Sequence, residues 1–250
     1  MKKLIALLMA VCLIMSLAAC SQSDQNTEES SNTVLNDNNQ SSNELVSDDS
    51  SNSPENNSDS EAENKTEKIL IAYFSYGENA NLPNGVDASA SASIQVLDGK
   101  ITGNTGLVAN YIQKATGGDL FSIRTVKTYS DDYNTVVDEG QAEKNNNEKP
   151  ELSSHIDKLD DYSTVFIGFP NWWYGMPMVM YSFLDEYDFS GKTIVPFCTS
   201  GGSAFSDAID EIKKAEPNAT VLDGLHISGS SASRSESEVS EWVNGLSLAK

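Results

Sequence analysis

Val165-Phe166-Ile167-Gly168-Phe169-Pro170-Asn171-Trp172-Trp173-Tyr174-Gly175 joins a short apolar run to three consecutive aromatic residues. No polar residue alternates through its first five positions, so the run reads as a strand covered on both faces rather than one with a wet side. Pro170 has no N–H to give to a ladder and predicts the strand's end. Trp172, Trp173 and Tyr174 occupy adjacent positions and cannot all face one core. The segment therefore predicts a binding loop that presents at least one ring to a flat aromatic ligand.

Outward from this stretch, strand and helix patterns alternate. Lys68-Ile69-Leu70-Ile71-Ala72-Tyr73-Phe74-Ser75 predicts a first buried strand leaving through Gly77. Residues 78–102 read as an insertion, with Ile94, Val96 and Leu97 hinting at a small hairpin. Gly103-Asn104-Thr105-Gly106 opens a helix whose face is Leu107, Val108, Tyr111, Ile112 and Ala115, closed by Gly117-Gly118. Residues 120–126 predict a second strand and 132–147 a polar helix carrying Val136, Val137 and Ala142. After the third strand, Pro177 suits a first helical turn that Val179, Phe183 and Leu184 continue. Residues 192–198 predict a fourth strand, followed by a helix face of Ala204, Phe205, Ala208, Ile209 and Ile212. Residues 219–222 predict a fifth strand, and Val239, Trp242, Val243 and Leu246 a last amphipathic face.

Five strands separated by helices predict an α/β fold, a three-layer doubly wound five-stranded parallel sheet, because parallel neighbours need right-handed crossovers. Ligands in such sheets bind beyond the carboxyl ends of the strands. Three loops lie there. The first combines Ser75, Tyr76 and Gly77 with Gly103, Asn104 and Thr105, where hydroxyls and helix N-terminal N–H groups suit a phosphate, although Asn and Thr also serve as simple caps. It has no lysine, so the triphosphate P-loop pattern is absent. The second is Pro170, Asn171, Trp172, Trp173, Tyr174 and Gly175. The third is Thr199, Ser200, Gly201, Gly202 and Ser203, whose glycines expose backbone that can read a ring edge, or serve turn geometry with Ser203 as a cap.

In their order, these loops resemble the flavodoxin-like family, and in detail its secreted bacterial branch. The segments that carry the resemblance are Ile71-Ala72-Tyr73-Phe74-Ser75, Gly103-Asn104-Thr105, Gly117-Gly118-Asp119-Leu120-Phe121, Gly168-Phe169-Pro170-Asn171-Trp172-Trp173, Phe183-Leu184, Gly191-Lys192-Thr193 and Phe197-Cys198-Thr199-Ser200-Gly201-Gly202-Ser203. The resemblance implies a flavodoxin-like domain over 68–250, strand order 2-1-3-4-5, and noncovalent FMN. Phosphate would sit on Ser75, Asn104 and Thr105, and the ring between the second and third loops. Two departures stand out: the 78–102 insertion splits the phosphate loop, and Ser200 stands where many relatives carry histidine. The implied function is a redox protein, an electron carrier or a reductase that takes hydride from NAD(P)H and serves a quinone-type acceptor. Its partner would be a redox protein or a small-molecule electron acceptor. The alternative is a lipoprotein on the same scaffold that binds a ligand or protein without redox turnover.

Composition sets the surroundings of this domain. Met1-Lys2-Lys3 followed by an apolar stretch over 4–17 has the layout of a secretory leader, and Leu17-Ala18-Ala19-Cys20 resembles the lipobox of bacterial lipoproteins. The resemblance implies a leader over 1–20, Cys20 acylated with palmitate-type chains, and a protein held outside the cytoplasmic membrane by lipid alone. Residues 21–67 are Ser, Asn, Asp, Glu and Gln with almost nothing apolar, which predicts a disordered acidic tether spanning roughly 35 to 40 Å as a flexible coil. The net charge is -21. Residues 68–250 hold 25 acids against 13 bases, a surface that repels nucleic acid. Of three cysteines, Cys12 falls in the leader and Cys20 on lipid, leaving Cys198 and no disulfide framework. Cys198 suits a small core residue better than a reactive thiol. His155 and His226, the two histidines, belong to no metal or hydrolase motif and are assigned to surface or loop positions. Asp185, Glu186 and Asp188 read as a solvated helix end, and no residue is assigned a catalytic or metal-binding role.

Overall fold

β1 (Lys68–Phe74) runs through the middle of a parallel sheet because both of its faces are apolar. Leu70, Ala72 and Phe74 pack on one side and Ile71 and Tyr73 on the other. The computed structural model describes residues 68–83 and 93–248. The expected leader with Cys12 and Cys20, the tether over 21–67 and the insertion's middle at 84–92 lie outside the described residues.

Beside β1 stand β4 (Asp119–Ile123) and β5 (Tyr162–Pro170), each paired parallel to it. β6 (Thr193–Ser200) pairs with β5, and two short strands, β7 (Thr220–Val221) and β8 (Leu225–Ser228), pair with β6. Counting only these parallel strands in chain order, and β7 with β8 as one, the order is the expected 2-1-3-4-5. One face is covered by α1 (Asn104–Thr116) and α5 (Glu236–Gly245), through Leu107, Val108, Ile112, Val239 and Val243. The other carries α2 (Tyr133–Asn146), α3 (Met178–Glu186) and α4 (Ala208–Ala215), through Val136, Val179, Phe183 and Ile212. The sheet is therefore dry on both sides, the condition that lets β5 be apolar at every position from Val165 to Phe169.

β5 ends at Pro170 as expected, with Pro170 opposite Thr199. Two other sequence expectations are corrected. The fifth strand does not stop at 222 but resumes as β8. The break has a cause in the neighbouring strand. Lys192 and Ile194 turn their carbonyls outward and accept from Thr220 and Leu222, each at 2.9 Å. Pro196 is next on that side and has no N–H to return, so the ladder lapses opposite it. Ala204 and Phe205 precede α4 in a turn rather than forming its first face. The insertion carries the expected small hairpin, a two-stranded antiparallel sheet of β2 (Ile94–Leu97) and β3 (Lys100–Gly103). Asp98 and Gly99 connect them with φ of 49° and 75°, the left-handed pair that a two-residue hairpin turn requires. β3 runs directly into α1, so the insertion ends on the helix start.

Candidate functional site

The ends of β1, β5 and β6 deliver Ser75, Pro170 and Ser200 to the same edge of the sheet. The aromatic loop is built first. Asn171 N–H donates to Thr199 O at 2.8 Å, extending the pairing one residue past Pro170. Trp172 and Gly175 then exchange N–H···O bonds of 3.0 and 3.1 Å around Trp173 and Tyr174, whose φ values are 51° and 62°. Two consecutive large residues in the left-handed region cost about 1–3 kcal/mol each and persist only where neighbours fix them. Here α2 does so: Trp173 Nε1 donates to Val137 O at 3.0 Å, and Lys144 Nζ donates to Trp173 O at 2.7 Å. The Trp172 ring meets Phe74 and Tyr129 edge-on, with centroids 5.5 and 5.4 Å away. It also crosses α2 at Gly140, where a Cβ would come within 3.0 Å of the indole. α2 is started by Asp132, which accepts from Thr135 N–H at 2.9 Å, a bond that holds its carboxyl below the usual range.

At the opposite end, the hairpin folds over the start of α1. Ser93 O accepts the Asn104 N–H at 2.8 Å, and Gln95 Nε2 donates to Asn104 Oδ1 at 2.7 Å. Asn104 thus turns its carbonyl to the hairpin and its NH2 towards Gly229, where a Cβ would lie 3.0 Å from Nδ2. Thr105 does not face outward: its hydroxyl bonds the Thr199 hydroxyl at 2.8 Å. Ser75 is buried beside Gly103, and its Oγ has no hydrogen-bond partner among the described residues. A buried hydroxyl left unpaired is uncommon and invites an explanation.

The third loop hangs on Ser200, whose Oγ accepts from Gly202 N–H at 3.1 Å and Ala204 N–H at 3.0 Å and lies 2.8 Å from His226 Nε2. Asn171 Nδ2 holds the same loop by donating to Ala204 O at 2.9 Å. His226 is therefore a half-buried residue of β8, not a loop residue. Ser203 caps nothing; it accepts a turn bond from Ser206 N–H, and α4 begins five residues later. Cys198 is buried, and burial pushes its thiol up to about 12, against a smaller opposing pull from a backbone bond at Asn171. The expected outcome is that Cys198 resists alkylation in the native protein at pH 8 and reacts readily once unfolded, read by peptide mapping. His155 pairs with Glu186 at 2.7 Å and Lys149 with Asp185, on the surface as expected.

These three loops surround one cleft of about 910 Å³, within the usual size of small-molecule sites. Of the residues singled out from sequence, Tyr76, Asn104, Pro170, Asn171, Trp172, Trp173, Thr199, Ser200 and Gly201 line it. The others do not. Ser75, Gly103 and Thr105 are buried beside its lining residues without belonging to them, Gly77 packs against Thr102, and Gly202 is exposed and Ser203 half-buried outside the lining. Tyr174, 72 % exposed, and Gly175, buried near Lys144, do not line it. Sequence reasoning missed Ser93 and Gln95 of the hairpin, Tyr133, Val136 and Val137 of α2, and Gly229, Ser230 and Ser233 after β8. The α2 residues follow a strand end and could have been found by that rule. No charged side chain among the described residues lines the cleft. Among the described residues no cluster of His, Cys, Asp and Glu could hold a metal ion.

The family model described as Flavodoxin matches residues 93–246. Two crystal structures resemble the chain over nearly their whole length. One is a candidate flavoprotein from Bacteroides eggerthii, 28% identical with a TM-score of 0.55, covering 73% of this chain and 99% of that one. The other is a candidate flavoprotein from Bacteroides uniformis, 27% identical with a TM-score of 0.54, covering 71% and 98%. A Lactobacillus acidophilus flavoprotein crystallised in complex with FMN is more distant, at 19% identity and a TM-score of 0.49, covering 70% and 98%. No curated protein matches the chain.

Proposed function

Because the chain belongs to the flavodoxin family, we propose that it is an FMN-binding redox protein. The observation that carries this reading is the convergence of Asn104, Trp172, Trp173 and Gly201 on one cleft at the carboxyl ends of the strands, uncharged among the described residues. The residues present fit the cofactor. Ser75 is a buried donor without a partner beside the helix start, and an anionic oxygen is the acceptor its hydroxyl lacks. Asn104, aimed by Gln95, offers an NH2 on the same side. The indoles supply flat apolar surface, and the backbone about Gly201 supplies polar groups for a ring edge.

Bound there, FMN supplies reversible electron and hydride chemistry. The chain's own contribution is to hold and shield. Trp172 is fixed by Phe74 and Tyr129, Trp173 by Val137 and Lys144, and the Ser200 loop by Asn171, so the wall that meets a ring is set before any ligand arrives. Neutral walls within an acidic domain disfavour added negative charge, which pushes the potential of a bound redox group down.

In its finer form the proposal is a carrier of electrons, or an NAD(P)H-dependent reductase of a quinone-type acceptor, tethered by a lipid on Cys20 outside the cytoplasmic membrane. The leader and lipobox pattern support the anchor, and the absence of a cysteine pair or a second dinucleotide fingerprint favours a transient partner. The test is the colour of the purified protein. Flavin absorption bands that bleach on anaerobic reduction and return with air support the reading, and a colourless protein that rejects added FMN favours the non-redox binding alternative.

Ser75→Ala separates the cofactor's share from the fold's. The cofactor-free variant should be as stable as the parent or slightly more so, since an unpaired buried hydroxyl has been removed. FMN affinity should fall about 10- to 100-fold, the worth of a hydrogen bond to a charged group. Thermal denaturation and fluorescence titration check the two signs.

A further inference from the structure

We propose that His226 is a positioning residue for the Gly201 wall of the cleft, acting through the Ser200 hydroxyl. The geometry of the loop stands by itself; its consequence for a cofactor rests on the FMN reading above. A serine hydroxyl has two lone pairs and one hydrogen. Both lone pairs of Ser200 Oγ are taken, by the N–H groups of Gly202 and Ala204. The hydrogen is then left for His226 Nε2 at 2.8 Å, which accepts it, and the ring of a neutral His226 carries its own hydrogen on Nδ1. Topology makes the reach possible. Cys198 faces His226 across the β6–β8 pair, Ser200 is the next residue on the same face, and the imidazole spans that step along the strands.

The loop needs such a fastening. Ala204 and Ser206 both have φ of 49°, and Gly202 has φ of 146°, so the chain between β6 and α4 holds left-handed turns that side chains rarely adopt. With an acceptor in place for its hydrogen, the Ser200 hydroxyl keeps one orientation, and both lone pairs stay on the two amides. Without that acceptor the hydroxyl rotates to find another, and the amides of Gly202 and Ala204 lose their partner. Gly201 stands between these anchor points and lines the cleft.

Amide hydrogen exchange of the full chain without cofactor tests this directly. In the parent, Gly202 and Ala204 should exchange slowly. H226L should accelerate both at least tenfold, whereas H226Q, whose amide oxygen reaches where Nε2 lies, should keep them within about threefold of the parent. S200A should release the same two amides, and S200A/H226L should release them no further; S200A also carries the test where H226L does not fold. Parent-like exchange in H226L or S200A, equal loss in H226Q and H226L, or additive effects in the double variant would overturn the proposal. Titration with FMN should follow the same order, weaker for H226L and restored by H226Q. His226-dependent protection in a protein that ignores FMN upholds the positioning role and overturns the cofactor reading.

Discussion

Replacing Trp172 with alanine should lower stability by about 3 kcal/mol, the low end for a tryptophan deletion because the ring is only partly buried. The indole makes edge contacts with Phe74 of β1 and Tyr129 and lies across α2 at Gly140, so its loss leaves a cavity between sheet and helix. The consequence extends beyond volume. Trp173 and Tyr174 hold left-handed backbone that is strained without external support, and Trp172 is the end of the turn that anchors them. FMN affinity should therefore collapse together with stability in Trp172→Ala. Trp173→Ala, which removes one hydrogen bond and the side chain of a residue that is 37 % exposed, should cost about 1 kcal/mol. Urea denaturation of both variants checks the ranking. Equal costs would mean that the turn is not hung on Trp172.

A comparable loss, about 3 kcal/mol, is expected from Glu78→Ala, a residue outside the cleft lining. Glu78 follows the end of β1 and has a side chain only 8% exposed. Its carboxylate accepts from Tyr73 OH at 3.1 Å, Thr102 Oγ1 at 2.5 Å, Ser122 Oγ at 2.5 Å and Arg124 Nη2 at 2.9 Å. Arg124 Nη1 also donates to the Glu78 carbonyl. One residue thus ties β1, β3 and β4 together where the insertion leaves and rejoins the fold. Burial, and then the neighbouring Glu78 charge, push the Tyr73 phenol well above its ordinary range, so it stays a donor at any working pH. Alanine would leave three hydroxyls and Arg124 Nη2 without their carboxylate acceptor, while Nη1 keeps the main-chain carbonyl. Because Arg124 is 42% exposed and can rehydrate, the cost sits at the low end for a broken buried pair. Glu78→Gln keeps the shape and should lose about half as much. Denaturant unfolding gives the magnitude, and faster amide exchange at Thr102 would show the hairpin released.

How much of this was legible depended on whether the cause was local. The run 165–169 announces a strand buried on both faces because every one of its residues is apolar, and Gly103, Gly117 and Gly201 mark turns at their own positions. β8 was hidden because Leu225-His226-Ile227-Ser228 alternates like a half-wet strand, and because the gap before it is caused by Pro196, a residue of another strand. Gln95 and Ser93 were missed for a similar reason: nothing in an insertion's composition tells where it folds back, and here it lands on Asn104. Glu78 and His226 are single polar residues whose partners, apart from Tyr73 for Glu78, lie 24 to 46 and 26 positions away. Their roles appear only when the sheet has brought those partners together. The three loops were read correctly as neighbours, while the division between cleft wall and hidden support was not, since Thr105 turns to Thr199 and Tyr174 to solvent.

If three strand-end loops grip a flat, singly phosphorylated heterocycle, parallel titrations of the cofactor-free protein with FMN and with riboflavin, followed by flavin fluorescence, will separate the two flavins. Saturable one-to-one binding is expected, with quenching by the indoles and at least about tenfold tighter binding of FMN than of riboflavin, since the phosphate contacts belong to FMN alone. Equal affinity for the two flavins, or no binding of either, would mean that the loops do not form a phosphate-bearing flavin site.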